Sequence, residues 1–221
     1  MHDASVSAND ETDKTLIQGL GAVAWASPRD QAKHPAFVAA PVIGTGVSPD
    51  MIVRFVNFIA GQYSVDKNRM YTTGQSLGCI KSIAIDVRYP DFFAASLLVA
   101  GQSEEDVQKV SAMANQNIWI IVSQGDTRAY PGMNSIVDVW EKGGKKVSKA
   151  VWNARDDDAQ MTMNAQKMMA EGNNLKYVTF LKGTTLPEGH APDNEHMQTW
   201  KVAYTITAVR DWLFTQTKAS R

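Results

Sequence analysis

Apolar residues fall along this chain in two alternating rhythms. Short apolar runs give way to stretches in which apolar positions recur at i, i+3, i+4 and i+7. Residues 37–43 (Phe-Val-Ala-Ala-Pro-Val-Ile) predict a strand ending in a loop. Asp50 then reads as the cap of a helix with the apolar face Ile52, Phe55, Val56 and Ile59. Residues 69–73 are β-like and lead into a helical run carrying Ile80, Ile83, Ala84 and Val87. Residues 93–99 predict a buried strand closed by Gly101. Ser103, Glu104, Glu105 and Asp106 start a further helix, with acids at the positive end of its dipole. Residues 117–122 (Asn-Ile-Trp-Ile-Ile-Val) are apolar on both faces, as a central parallel strand requires. A helix over 133–142 stops at Gly143-Gly144, a strand follows over 147–152, and a Met-rich helix over 156–171. A strand over 177–181 and a last helix over 197–215, burying Val202, Ile206, Val209 and Leu213, complete the pattern. Repeated β–α alternation implies an α/β fold, with a mostly parallel sheet and helices on both faces.

Length and composition narrow the picture without changing it. The 221 residues suit one domain, expected over 1–221, with 1–18 a poorly anchored leading segment. Net charge is −1 and no basic block occurs, so nothing points to nucleic acid or an anionic membrane surface. No apolar run is long enough to span a bilayer. Residues 1–14 are polar and lack the apolar stretch of a signal peptide, so the chain as written reads as cytoplasmic; a missing front end would leave export open. A single cysteine, Cys79, excludes an intrachain disulfide. Metal-ligand spacings, a phosphate loop and a dinucleotide fingerprint are all lacking, so no cofactor is expected.

The chemistry concentrates at Gly74-Gln75-Ser76-Leu77-Gly78. This Gly-x-Ser-x-Gly lies between a predicted strand and a predicted helix, which is the context of a nucleophile elbow. The glycines leave room for strand and helix to approach, and the serine hydroxyl projects over the sheet edge. The helix N-terminus offers backbone N–H groups to a developing negative charge. A serine so placed needs a base, and the base needs an orienting acid; on such a turn the chain order is serine, acid, histidine. Asp126 follows strand 117–122 at its C-terminal end, where catalytic groups gather, although a turn aspartate in a Gly-Asp-Thr corner has the same sequence. Asp156, Asp157 and Asp158 are better explained as helix starters. Of four histidines, His2 and His34 precede the acid. His190 and His196 share one loop, and spacing leaves both open, with a modest lean to His196 at the mouth of the final helix. Cys79, without a neighbouring histidine, reads as a small packing residue. The Met-rich stretch is core or a soft surface patch.

Residues 68–78, Asn-Arg-Met-Tyr-Thr-Thr-Gly-Gln-Ser-Leu-Gly, and residues 89–96, Tyr-Pro-Asp-Phe-Phe-Ala-Ala-Ser, resemble serine esterases of the α/β-hydrolase superfamily, near the prolyl-oligopeptidase-like and polyhydroxybutyrate-depolymerase-like hydrolases. Gly125-Asp126 resembles their acid loop. His196-Met197-Gln198-Thr199-Trp200 and the helix through Trp212 resemble their histidine motif and closing helix. The resemblance runs from about Gly19 onward and places His196 well ahead of His190. Cys79 stands where the family has a second glycine. The larger departure is at the front. Strand 37–43 resembles the family's fourth, the first strands are lacking, and the chain is expected to be truncated at its N-terminus. His2-Asp3-Ala4-Ser5 resembles the loop after the family's third strand, which carries an oxyanion donor.

The resemblance implies a serine carboxylesterase acting on small carboxylic esters. Ser76 is the nucleophile, His196 the base and Asp126 its partner. Leu77 and either Asp3 or Ala4 would donate to the oxyanion. A feruloyl or acetyl esterase, or a peptidase of the same fold, is the alternative within the enzyme class; a non-catalytic remnant is the alternative outside it. Without the family's third strand, segment 37–43 is expected to slide in beside the elbow strand, or the exposed edge to pair with a second chain as a homodimer.

Overall fold

The computed structural model describes residues 1–6, 20–104, 106–190 and 194–218. The start of the leading segment, residues 1–6, packs against the sheet; the rest of the expected 1–18 stretch, from residue 7, lies outside the described residues. Two short helices, α1 (Leu20–Ala26) and α2 (Pro28–Lys33), precede α3 (Pro49–Gln62). Then come β1 (Tyr71–Gln75), α4 (Leu77–Arg88), β2 (Ala95–Val99), a 3-10 helix (Val107–Met113) and β3 (Asn117–Ser123). The second half holds α5 (Ala129–Lys142), β4 (Val147–Trp152), α6 (Asp158–Ala170), β5 (Leu175–Phe180), α7 (His196–Ala203) and α8 (Thr207–Thr215).

The five strands form one sheet in the order β1-β2-β3-β5-β4, with every pair parallel. A parallel sheet must be covered on both faces. The helices α3, α4 and α5 with the 3-10 helix pack together as one layer, while α1 packs on α7 and α6 on α8. Every residue of β2, β3 and β5 is buried, which explains why the apolar run of β3 shows no alternation. Trp119 in its middle meets Trp152 and Trp212 edge-to-face, with ring centroids 6.2 and 5.2 Å apart. Trp140 is buried with its indole N–H donating to Val110 O at 2.8 Å. Buried indole N–H groups usually find such a partner.

Four expectations are corrected. Residues 35–44 are irregular and enter no ladder. Pro35 and Pro41 have no N–H to give a neighbouring strand, and the Ile43 N–H instead donates to His2 Nε2 at 2.8 Å. The segment therefore does not slide in beside β1. On the outer edge of β1, among the described residues, Met1 alone completes a parallel bridge: its amine donates to Thr73 O and its carbonyl accepts from Gln75 N at 3.1 Å. Second, Ser48 rather than Asp50 caps α3, accepting from Met51 N at 3.3 Å, and Pro49 takes the first helical position. Asp50 turns to Arg88 instead, at 2.7 Å. Third, Asp106 caps a 3-10 helix rather than continuing an acidic first turn; Glu105 of that expectation lies outside the described residues. Fourth, the last helix is two helices, broken at Tyr204–Ile206. The freed groups find partners: Arg210 Nη1 donates to Tyr204 O at 2.6 Å, and Thr207 N to Asp158 Oδ1 at 3.1 Å.

Candidate active site

Ser76 joins β1 to α4 with φ 49° and ψ −115°, a left-handed conformation that strains any residue with a side chain. The turn is possible because both flanking positions are glycine. A Cβ on Gly74 would lie 2.2 Å from the Gly78 backbone, and one on Gly78 would lie 2.2 Å from Met1 O. The Ser76 N–H donates to Val99 O at 3.1 Å and its carbonyl accepts from Ile80 N, so the strained residue is held from both sides. Leu77 opens α4, and a first-turn N–H has no partner within its own helix.

Asp126 lies just past the C-terminal end of β3 and is fully buried. Its Oδ1 accepts from Arg128 N and Ala129 N, each at 2.9 Å, so the side chain caps the approach to α5. That leaves Oδ2 directed at His196 Nδ1, 2.6 Å away. The other imidazole nitrogen, Nε2, stands 2.9 Å from Ser76 Oγ. The ring also packs edge-on against Trp200, with centroids 5.1 Å apart. Ser76, His196 and Asp126 thus form one continuous hydrogen-bonded line along the C-terminal ends of the strands. His190 is exposed and outside it. The rival acids are elsewhere too: Asp157 caps α6 through Gln160 N and Asp158 caps α8 through Thr207 N.

The segment carrying Asp3 and Ala4 lies against the elbow. Asp3 is buried; its Oδ2 accepts from Gln75 Nε2 at 3.0 Å and its Oδ1 from Ser5 N at 2.8 Å. Ala4 is exposed at the turn. His2 is buried between Asp3 O, 2.6 Å from Nδ1, and the Ile43 N–H. Cys79 is buried, and that burial pushes its thiol well above the ordinary range. Among the described residues, no cluster of His, Cys, Asp and Glu could hold a metal ion, and no helix is long and apolar enough to cross a membrane. A cleft of about 810 Å³ runs beside β1, lined by Phe55, Ile59, Tyr71 and Phe214 among others; none of Ser76, Asp126 and His196 lines it.

Sequence reasoning missed three residues that build the site. Gln75 holds Asp3, His2 holds Ile43, and Glu195 turns inward beneath the Asp126 loop. Each acts across a long sequence separation, so no local pattern marks it.

The chain matches the family described as Esterase PHB depolymerase over residues 37–170. No curated protein matches it. A solved structure of a thermostable esterase superposes with a TM-score of 0.70 at 22% identity, over 98% of this chain and 53% of that one. The chain therefore spans about half the length of that esterase. A structure of FAE superposes with a TM-score of 0.50 at 11% identity, over 92% of this chain and 76% of that one. A feruloyl esterase module from Clostridium thermocellum, complexed with sinapinate, gives a TM-score of 0.46 at 11% identity, over 76% and 62% of the respective chains. At 22% identity the likeness to the thermostable esterase is one of fold, the α/β-hydrolase fold.

Proposed function

The chain belongs to the Esterase PHB depolymerase family, and on that premise we propose that it is a serine carboxylesterase hydrolysing small carboxylic esters through Ser76, His196 and Asp126. The observation that carries the reading is the unbroken line of contacts, 2.9 Å from Ser76 Oγ to His196 Nε2 and 2.6 Å from Nδ1 to Asp126.

In this reading His196 Nε2 takes the Ser76 proton as Oγ attacks the ester carbonyl. Asp126 accepts from Nδ1–H, which keeps the second nitrogen free as the base and balances the imidazolium that forms. The Leu77 N–H faces the developing oxyanion, with a second donor from Asp3 or Ala4. Collapse of the tetrahedral intermediate expels the alcohol, which takes the proton from His196 and leaves an acyl group on Ser76. Water, activated by the same imidazole, then releases the acid. The buried thiol of Cys79 has no part in this.

The test is a fluorophosphonate probe with a short chromogenic ester. Wild-type protein should be labelled at Ser76 and turn over the ester; Ser76→Ala should do neither. Absence of labelling in folded wild-type protein would sink the proposal and favour a non-catalytic remnant. We also propose that the outer edge of β1 pairs with a second copy of the chain. Support comes from the single bridge that Met1 makes there among the described residues.

A further inference from the structure

We propose that Glu195 is a positioning residue for this reaction: its buried carboxylate ties the Asp126 loop and the loop after β5 to the first turn of α7, and so sets the aim of His196. The proposal rests on the triad reading above.

Glu195 is 1% exposed, although glutamate seldom goes inside a protein unpaired. It is not unpaired here. Oε2 accepts from Ser123 Oγ at 2.8 Å and from Thr185 Oγ1 at 2.6 Å, while Oε1 accepts from Gly183 N at 2.6 Å. These three donors belong to two different loops. Ser123 ends β3, and its Oγ accepts from Gly125 N at 3.0 Å, so the link runs into the corner that presents Asp126. Gly183 and Thr185 lie in the turn after β5. The Glu195 carbonyl meanwhile accepts from Gln198 N, Thr199 N and Thr199 Oγ1, which anchors the start of α7 where His196 sits.

The site is shaped for this carboxylate. A Cβ on Gly125 would fall 1.9 Å from Oε1, so only glycine leaves the space. The need for such a tie follows from the chain. Asp126 and His196 are 70 residues apart, one in the corner after β3 and the other at the start of α7. Their contact at 2.6 Å depends on how that corner and the first turn of α7 are set against each other. Three donors converging on one anion give strong, directional bonds, which an apolar residue of the same volume cannot. A misplacement of about 1 Å near the chemistry costs on the order of 100-fold in rate.

The test compares wild type with Glu195→Ala, Glu195→Gln and Gly125→Ala. Three readouts are used: kcat and KM on a short chromogenic ester per probe-labelled serine, rescue by formate, and the downfield proton resonance of His196 Nδ1–H. Glu195→Ala should lower kcat about 10- to 100-fold with little change in KM. It should also broaden or shift the resonance, and formate entering the vacated space should restore part of the rate. Glu195→Gln keeps an acceptor for Gly183 N and should lose less; it carries the test if the alanine variant does not fold. Gly125→Ala should reproduce the alanine phenotype by displacing the carboxylate. Folded Glu195 variants with wild-type kcat and an unchanged resonance would overturn the proposal. Unlabelled wild-type protein would instead strike the triad reading, while the resonance would still report whether Glu195 sets the Asp126–His196 contact.

Discussion

Ser76 holds a backbone conformation that costs roughly 1–3 kcal/mol, a strain that persists only where the surroundings over-determine it. Here the surroundings are two glycines and the bonds to Val99 and Ile80. Gly78 has a second task, because Met1 O occupies the space its side chain would fill. Gly78→Ala should therefore dislodge residues 1–4 and with them the proposed second oxyanion donor. Turnover should fall on the order of 100- to 1000-fold, the usual cost of one such donor; steady-state kinetics that match wild type would remove Asp3 and Ala4 from the site. Asp126→Asn should drop kcat by about 10⁴, the loss seen when a triad histidine is held in the wrong tautomer. Cys79 makes a simpler case. A thiol pushed up by burial stays protonated and is a poor nucleophile. Iodoacetamide should leave it unmodified in native protein and react only after denaturation, as mass spectrometry would show.

Among the elements, α8 is pinned by a buried ion pair rather than by apolar contact alone. Arg210 Nε lies 2.8 Å from Asp30 Oδ1, and both side chains are buried. Burial pushes the Asp30 carboxyl up, but hydrogen bonds from Arg210 and Ser27, with the Arg210 charge, outweigh it and hold it below the usual range. A carboxyl depressed in the folded state stabilises the fold above its unfolded value of about 3.9. That contribution is lost as pH falls through the lower folded value. Arg210→Ala strands the carboxylate and should cost about 3–5 kcal/mol at neutral pH, measured by urea unfolding. The deficit should shrink as pH falls and Asp30 takes up its proton. A deficit that stays constant down to acid pH would assign the loss to the Tyr204 carbonyl bond instead. The same Arg210 explains why one long apolar period became two helices: its Nη1 satisfies the Tyr204 carbonyl at the break.

For the molecule as a whole, β1 is one edge of the sheet, and among the described residues its outer side carries the Met1 bridge. An edge strand with open backbone groups is a template for another chain. Light scattering over a range of concentrations should show reversible dimerisation; a monomer at every concentration would refute pairing at this edge. The proposed catalytic line lies at the C-terminal ends of β1 and β3 and at the start of α7. Disturbing the β1 flank should thus change assembly more than chemistry, except through Met1, His2 and Asp3, which touch both.

What the residues determined by themselves was local. The glycine spacing about Ser76, set between a β-like run and a helix-period run, pointed to a tight strand-to-helix turn, and the unbroken apolar run of β3 pointed to the middle of a covered sheet. The order of Ser76, Asp126 and His196 was also an expectation from the chain, with Ser76 and Asp126 placed just past strand ends. Tertiary structure decided what depends on distant partners. Residues 37–43 have the composition of a strand but form none, since a strand exists only with a neighbour and Pro41 has no N–H to give a ladder. Spacing leans only modestly to His196 over His190, and it is the packing of α7 that brings His196, not His190, to 2.9 Å from Ser76 Oγ. Glu195 looks like any loop glutamate until Ser123, Gly183 and Thr185 arrive around it. The physical reason is the same in each case: backbone geometry and apolar periodicity act over a few residues, whereas a buried polar group takes its meaning from donors that the chain brings in from far away.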